Sequence, residues 1–298
     1  MIPFHLVTGF LGSGKTTFLK ELLAQYSDKQ RIAVVQNEFA ESGIDGKELQ
    51  GSGWKFDLLE VNKGSVFCVC LFSDFRGQLR QFVDEFNPDM VVLEATGMAD
   101  PIAISELLMD SELQKQLYLA KVWTVVDALH YNKVKTMPAV NNQLLIADEV
   151  IVNKCDCVGS EAVESIRQEI VSINPLAKIQ LTSYCKLSKI ELTEKIASDK
   201  VTAKPNSVPQ GIRTQVYRTP YTIKRKNMDY LIAQLNEEIY RLKGYVRLDN
   251  NEAFMIQSVF GVTTLTPVKE SALSTEFISI GTKVIDYEFI LRKLVILK

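Results

Sequence analysis

A chain of 298 residues, 46% of them hydrophobic and 23% charged, has the composition of an ordinary folded protein with room for one large domain or two smaller ones. Its formal net charge of −2 gives no electrostatic reason to expect nucleic acid or an anionic membrane as partner, and no stretch approaches the ~18 apolar residues of a membrane span. Five cysteines, an odd count without framework spacing, argue against a disulfide scaffold and for a reducing cytoplasm.

The segment Met1–Val7 is apolar, lacks a basic leader and runs straight into a phosphate-loop motif, so it reads as a first core strand rather than a signal peptide. Short apolar runs rich in β-branched residues follow at 31–36, 56–61, 90–94, 121–126, 148–152 and 177–181, with helical patterns near 15–26, 72–86, 101–119, 138–146, 159–172 and 187–197. Near-continuous apolar strands between amphipathic helices predict an α/β fold, a mostly parallel sheet covered by helices on both faces. Linker composition around 201–212, with Pro205, Pro209 and Gly211, separates this part from the rest. The expected domains are 1–204 and a small α+β unit over 212–298. In the second, an extended run at 213–223 precedes a helix near 227–242, β-like runs at 245–248, 253–260 and 275–280, and a closing helix near 286–296. The basic run Lys224-Arg225-Lys226 reads as a solvated face.

The sequence Gly9-Phe10-Leu11-Gly12-Ser13-Gly14-Lys15-Thr16-Thr17 matches the P-loop pattern G-x-x-x-x-G-K-[ST] between a strand and a helix. Glycines let successive N–H groups turn inward toward phosphate oxygens, and the following helix adds its positive end. Lys15 is placed to neutralise β- and γ-phosphates, and Thr16 to ligate Mg²⁺. Strand 148–152 ends in Asn153-Lys154-Cys155-Asp156, an N-K-x-D string at the edge where α/β sheets bind ligands. An Asp carboxylate is acceptor-only and takes both the N1–H and N2–H₂ donors of guanine, whereas adenine offers no such pair. Lys154 would lay its stem over the base, Asn153 would tie neighbouring loops together, and the loop at Ser183 would approach the guanine O6.

The run Met90–Gly97 is an apolar strand ending in Glu94 and a glycine turn, suited to the metal or water side of a phosphoryl-transfer site, with Gly97 offering an N–H to the γ-phosphate. Glu38 and Glu41 open a long segment before the next strand and are candidate metal or switch carboxylates. Cys68 and Cys70 form a C-x-C pair able to hold a soft metal if other ligands complete the shell. Cys155, Cys157 and Cys185 are read as packing residues and His5 as core, while His130 stands at a strand end.

Taken together, the residues Thr8–Thr17, Asn37-Glu38-Phe39, Glu94–Pro101, Val126-Asp127-Ala128, Asn153–Asp156 and Lys243–Val246 resemble the CobW-like P-loop GTPases, relatives of the urease and hydrogenase maturation GTPases. The resemblance covers nearly the whole chain. It implies GTP hydrolysis with Mg²⁺, slow intrinsic turnover through Lys15, Glu38 and Glu94, and coupling to delivery of a metal or metallo-cofactor to a client enzyme, with a nucleotide-dependent homodimer compatible with it. Zn²⁺ or another transition metal would sit at the Cys68/Cys70 turn, where the family usually reads G-C-x-C-C. Here Leu71 stands where a further cysteine is expected and Phe67 in place of the glycine, so Glu38, Glu41 or His130 would have to complete a looser site. The alternative is a GTP-gated assembly factor, for example for a corrinoid-dependent enzyme, that carries no free metal. A P-loop small-molecule kinase is the competing class, but such an enzyme has no use for an N-K-x-D reader.

Overall fold

The opening strand β1 (Ile2–Thr8) lies at the centre of a seven-stranded sheet of order β3-β2-β4-β1-β5-β6-β7. The computed structural model describes residues 1–37, 54–61, 69–97, 110, 112–192, 213–235, 239–268, 274–282, 286, 287 and 290, without the side chains of 37, 60, 61, 69–74, 234 and 235. The other strands are β2 (Ile32–Asn37), β3 (Asp57–Val61), β4 (Met90–Glu94), β5 (Leu117–Asp127), β6 (Glu149–Asn153) and β7 (Lys178–Leu181), and every pairing is parallel. Each residue of β4 and β6 is buried, as expected of strands covered on two faces.

Helix α1 (Lys15–Tyr26) follows β1 and buries Phe18, Leu19, Leu22 and Leu23. These side chains join Val7, Val34, Val92, Trp123, Val125 and Ile151 in one core cluster. Each such Leu or Phe contributes about 1.5–3 kcal/mol relative to exposure. Helix α2 (Val69–Phe86) leads into β4, and two single-turn helices, α3 (Leu113–Gln116) and α4 (Tyr131–Val134), flank β5. Helices α5 (Pro138–Ile146) and α6 (Ser160–Ile173) follow β5 and β6. The chain steps from β1 to one side of the sheet and from β5 to the other. Right-handed crossovers therefore set α1 and α6 on opposite faces. Asn174 closes α6 by donating its side-chain amide to the carbonyls of Leu144 (2.8 Å), Leu145 (3.2 Å) and Ala147 (2.9 Å), satisfying the buried end of α5.

The chain divides into compact units Met1–Lys195 and Ile196–Lys298. The second holds an antiparallel sheet of order β11-β10-β9-β12-β8, formed by β8 (Arg213–Thr219), β9 (Ile239–Arg247), β10 (Ala253–Val259), β11 (Val262–Val268) and β12 (Thr275–Gly281). Met228 and Leu231 of α7 (Met228–Leu235) pack on Leu242, Val246, Ile256 and Phe277. No helix among the described residues is long and apolar enough to cross a membrane.

Three expectations are corrected. The helix expected at 227–242 ends at Leu235, and Ile239 opens β9, because residues from Ile239 onward pair with β10 and β12 and this pairing outweighs local helix propensity. Residues 187–192 are not helical. Their backbone groups bond instead to α1, where the Gln25 amide donates to Leu187 O (2.9 Å) and Ile190 N donates to Gln25 Oε1 (2.9 Å). Of the helix expected at 101–119, only Leu113–Gln116 is helical among the described residues, and β5 already begins at Leu117; 101–109 lie outside them. Strand β11 was hidden in the sequence, although its hairpin turn through Phe260 and Gly261, both at positive φ, is the left-handed pair such turns require.

His5 is buried in β1, stacked on Trp123 with centroids 5.2 Å apart, and neither ring nitrogen has a hydrogen-bond partner among the described residues. Burial, helped by the nearby Lys121 cation and opposed by Asp148, brings its pKa down to about 3 from 6.5. The unfolded chain therefore takes up a proton below pH 6.5 that the folded chain refuses. Stability is complete above that value and falls with pH by about 1.4 kcal/mol per unit. Between pH 6.5 and about pH 4.5, denaturant unfolding should show a loss about 2–3 kcal/mol larger for the wild type than for His5→Phe; equal losses would contradict a neutral buried His5.

Candidate nucleotide-binding site

The loop between β1 and α1 turns at Gly9, Gly12 and Gly14, all at positive φ. At Gly14 (φ 108°) a Cβ would stand 2.5 Å from Asn153 Nδ2, so only glycine fits both the dihedral and the space. Helix α1 starts at Lys15 with no side-chain cap and no acidic residue in its first turn, leaving its positive end available to an anion. The buried Ser13 hydroxyl has no hydrogen-bond partner among the described residues, and Lys15 Nζ folds back to donate to Phe10 O at 3.2 Å. Thr17 is exposed at the loop rim. The Ser13 N–H also turns back on Phe10 O at 3.1 Å, so that carbonyl holds two donors that a polyphosphate in the glycine-turned loop would take over.

Beside the loop, Thr16 Oγ1 donates to Glu94 Oε1 at 2.8 Å, and Gln36 Nε2 donates to Glu94 Oε2 at 2.9 Å. Glu94 and Gln36 are paired neighbours at the ends of β4 and β2 and both are buried. After β4 the chain brings Gly97 against the loop so closely that a Cβ would meet Leu11 N at 2.4 Å, and Gln143 Nε2 donates to Gly97 O at 3.3 Å. Thr16, Glu94 and Gly97 are therefore drawn to one side of the loop.

On the other side, β6 delivers Asn153, Lys154 and Asp156. The buried Asn153 donates from Nδ2 to Ser13 O (3.0 Å) and accepts from Cys185 N on Oδ1 (3.0 Å). Lys154, at a left-handed φ of 62°, donates to Gly12 O (2.8 Å) and to Asp127 Oδ2 (2.7 Å). Asp156 lies exposed in the turn that follows, its N–H donating to Ser183 Oγ at 3.2 Å. Hydrogen bonding with Ser183 holds its carboxyl below the usual carboxylate range, so it stays an ionised acceptor at neutral pH.

Asp127, Gln36 and Gln143 carry roles that motif reading alone missed. Asp127 ends β5 beside Asn153 and accepts from Lys154, from His130 Nδ1 (2.8 Å) and from Leu129 N (2.9 Å). Burial pushes its carboxyl up, but the hydrogen bonds from Lys154 and His130 outweigh that and keep it low. His130 is thus bonded to Asp127. The signal was available, since Gln36, Glu94, Asp127 and Asn153 are the polar residues that close apolar parallel strands, at the sheet edge where ligands bind. Cys185 packs beneath Gly14, and burial drives its thiol up to about 12. Cys155 is part-buried, but Cys157 is exposed and not a packing residue, because the short turn after β6 faces it outward beside Asp156. Glu38, Glu41, Cys68 and the Cys70 side chain lie outside the described residues. Among those described, no three His, Cys, Asp or Glu side chains gather as a metal site.

Residues 3–180 match the family model of the CobW/HypB/UreG nucleotide-binding domain, and residues 212–294 that of the C-terminal domain of the cobalamin synthesis protein CobW. The chain belongs to the CobW/HypB/UreG family. It is 28% identical over 199 residues to a zinc chaperone CobW from a Sinorhizobium species, covering 57% of this chain and 56% of that protein. It is 31% identical over 196 residues to zinc-regulated GTPase metalloprotein activator 1 of Schizosaccharomyces pombe, covering 63% of this chain and 47% of the relative. The chain spans about half the length of these relatives. Among solved structures, the Zn(II)-bound YjiA GTPase from E. coli shares the fold, with a TM-score of 0.62 at 22% identity over 98% of both chains.

In this CobW-family chain Asp127 is the anion that holds Lys154 against the loop. Asp127→Asn keeps an acceptor for Leu129 N but removes the charge, and the GDP dissociation constant should rise about tenfold. An unchanged constant in a fluorescent-GDP titration would show that Lys154 does not depend on Asp127.

Proposed function

We propose that this chain binds and hydrolyses GTP with Mg²⁺ and uses its nucleotide state to control delivery of zinc or another transition metal to a client metalloenzyme in the cytoplasm. The observation that supports the nucleotide half of the reading is the direct bond from Asn153 to the loop residue Ser13, which ties the N-K-x-D turn to the glycine-rich loop. Family membership supports the same reading, and the names of the relatives support the metal half.

In this reading Gly9, Gly12, Ser13, Gly14, Lys15 and Thr17 receive the phosphates; the Ser13 N–H and the Lys15 cation, both bonded to Phe10 O (3.1 and 3.2 Å), turn from that carbonyl onto phosphate oxygens. Gly97 adds an N–H on the γ side. Thr16, with Glu94 beside it, would hold Mg²⁺, which would supply positive charge for the phosphate oxygens. Glu94 and Glu38 orient the attacking water. The leaving β-phosphate is stabilised by Lys15 and the α1 terminus, preorganised charge that costs no rearrangement during the reaction. Asp156 accepts the paired guanine donors, Lys154 lies over the base and Ser183 closes the site. Zinc is cargo rather than a resident cofactor, bound by Cys68 and Cys70 with Glu38 or Glu41. The C-terminal domain offers the client surface, and a nucleotide-dependent homodimer is part of the proposal. Leu71, standing where the resemblance to the CobW-like GTPases implies a further cysteine, favours as the second reading a GTP-gated assembly factor without free metal.

Two measurements test these halves. Asp156→Asn replaces one acceptor by a donor, so GTP affinity should fall at least about a hundredfold while xanthosine triphosphate, with a carbonyl at C2, binds better than to the wild type; unchanged GTP affinity would remove Asp156 from the site. Zinc titration of the GDP and GTP-analogue forms should give different dissociation constants, and the delivery reading fails if no divalent metal other than Mg²⁺ binds below about 10⁻⁵ M in either form.

A further inference from the structure

The carboxylate of Glu94 is held at both oxygens by donors from different elements, Thr16 of α1 on Oε1 (2.8 Å) and Gln36 of β2 on Oε2 (2.9 Å). Gln36 is 6% exposed and Glu94 8% exposed, so bulk water contributes little to solvating this pair. The amino end of the Gln36 amide faces Glu94, and an amide N–H can only donate, so the carboxyl group accepts at both oxygens. Gln36 and Glu94 are register partners across β2 and β4, so the backbone itself keeps the two side chains together. A hydrogen bond to a poorly solvated acceptor is stronger than one in water, and two of them oppose the rotation by which the Glu94 carboxyl group would turn toward a cation.

We propose that Gln36 is a positioning residue for the magnesium-dependent step. By occupying Oε2 it prevents Glu94 from turning in as a direct metal ligand, and it keeps Oε1 on the Thr16 hydroxyl proton. The oxygen lone pairs of Thr16 then remain available to a cation while its O–H stays directed at Glu94 Oε1. The proposal rests on the nucleotide reading above and adds a residue to it. It assigns an amide at this position a use that a carboxylate could not serve, because a second anion beside Glu94 would repel it instead of donating.

The test uses the full chain and the pair Gln36→Met, which keeps size and loses the donor, and Gln36→Glu, which keeps polarity and adds a charge. GTP hydrolysis is measured against Mg²⁺ concentration, GDP binding is measured in EDTA, and thermal unfolding serves as the folding control. The magnesium concentration for half-maximal hydrolysis should rise about tenfold in Gln36→Met and further in Gln36→Glu, with kcat lowered, while GDP affinity in EDTA stays within about twofold of wild type. A residue that only supports the fold would lower unfolding midpoints without moving the magnesium dependence. Wild-type magnesium dependence in whichever variant folds would overturn the proposal. Absence of magnesium-dependent hydrolysis in the wild-type chain would overturn the nucleotide reading and this proposal with it.

Discussion

The buried side chain of Asn153 is the constraint on which the site depends. It joins the end of β6 to the loop after β1 through Ser13 and to the loop after β7 through Cys185, using a donor and an acceptor of one short amide. Removing it would leave a buried carbonyl and a buried N–H unsatisfied, at about 1–3 kcal/mol each. Gly14 has room for this amide only because it lacks a Cβ. Lys154, next in sequence, adds a second tie to Gly12. The turn that carries Asp156, far along the chain, is thereby tied to the glycine-rich loop near its start.

The parallel sheet makes this economical. Parallel strands present all their C-terminal ends at one edge, so the residue that closes each apolar run is delivered to the same surface. Gln36, Glu94, Asp127 and Asn153 do so from four strands, and each is paired with a group on a neighbouring element. The row is graded in charge. Glu94 lies on the Thr16 side, and Asp127 balances Lys154 on the Asn153 side. Polar groups at the rim of an apolar sheet satisfy one another there and also hold the loop, through Ser13 O and Gly12 O.

Much of this was legible in the sequence because the strongest constraints are local. A glycine-rich turn between an apolar strand and a helix, and N-K-x-D after another strand, announce themselves by spacing, and the parallel α/β layer follows from apolar runs alternating with helical ones. What was not legible depends on contacts between distant segments. Residues 187–192 read as helical because Leu187, Ile190 and Leu192 recur at apolar positions, but their backbone is satisfied by Gln25. Ile239–Leu242 reads as the end of a helix until two strands pair with it. Gln36 carries no motif; its place after an apolar run is legible, but its bond to Glu94 is visible only when β2 lies beside β4.

We propose that one rigid unit reads a guanine base and a triphosphate together. Calorimetric titration of the purified chain with GTP and ATP in Mg²⁺ tests it most directly. The account predicts GTP binding at least about a hundredfold tighter than ATP. Equal affinity for the two, or binding of neither, would contradict it.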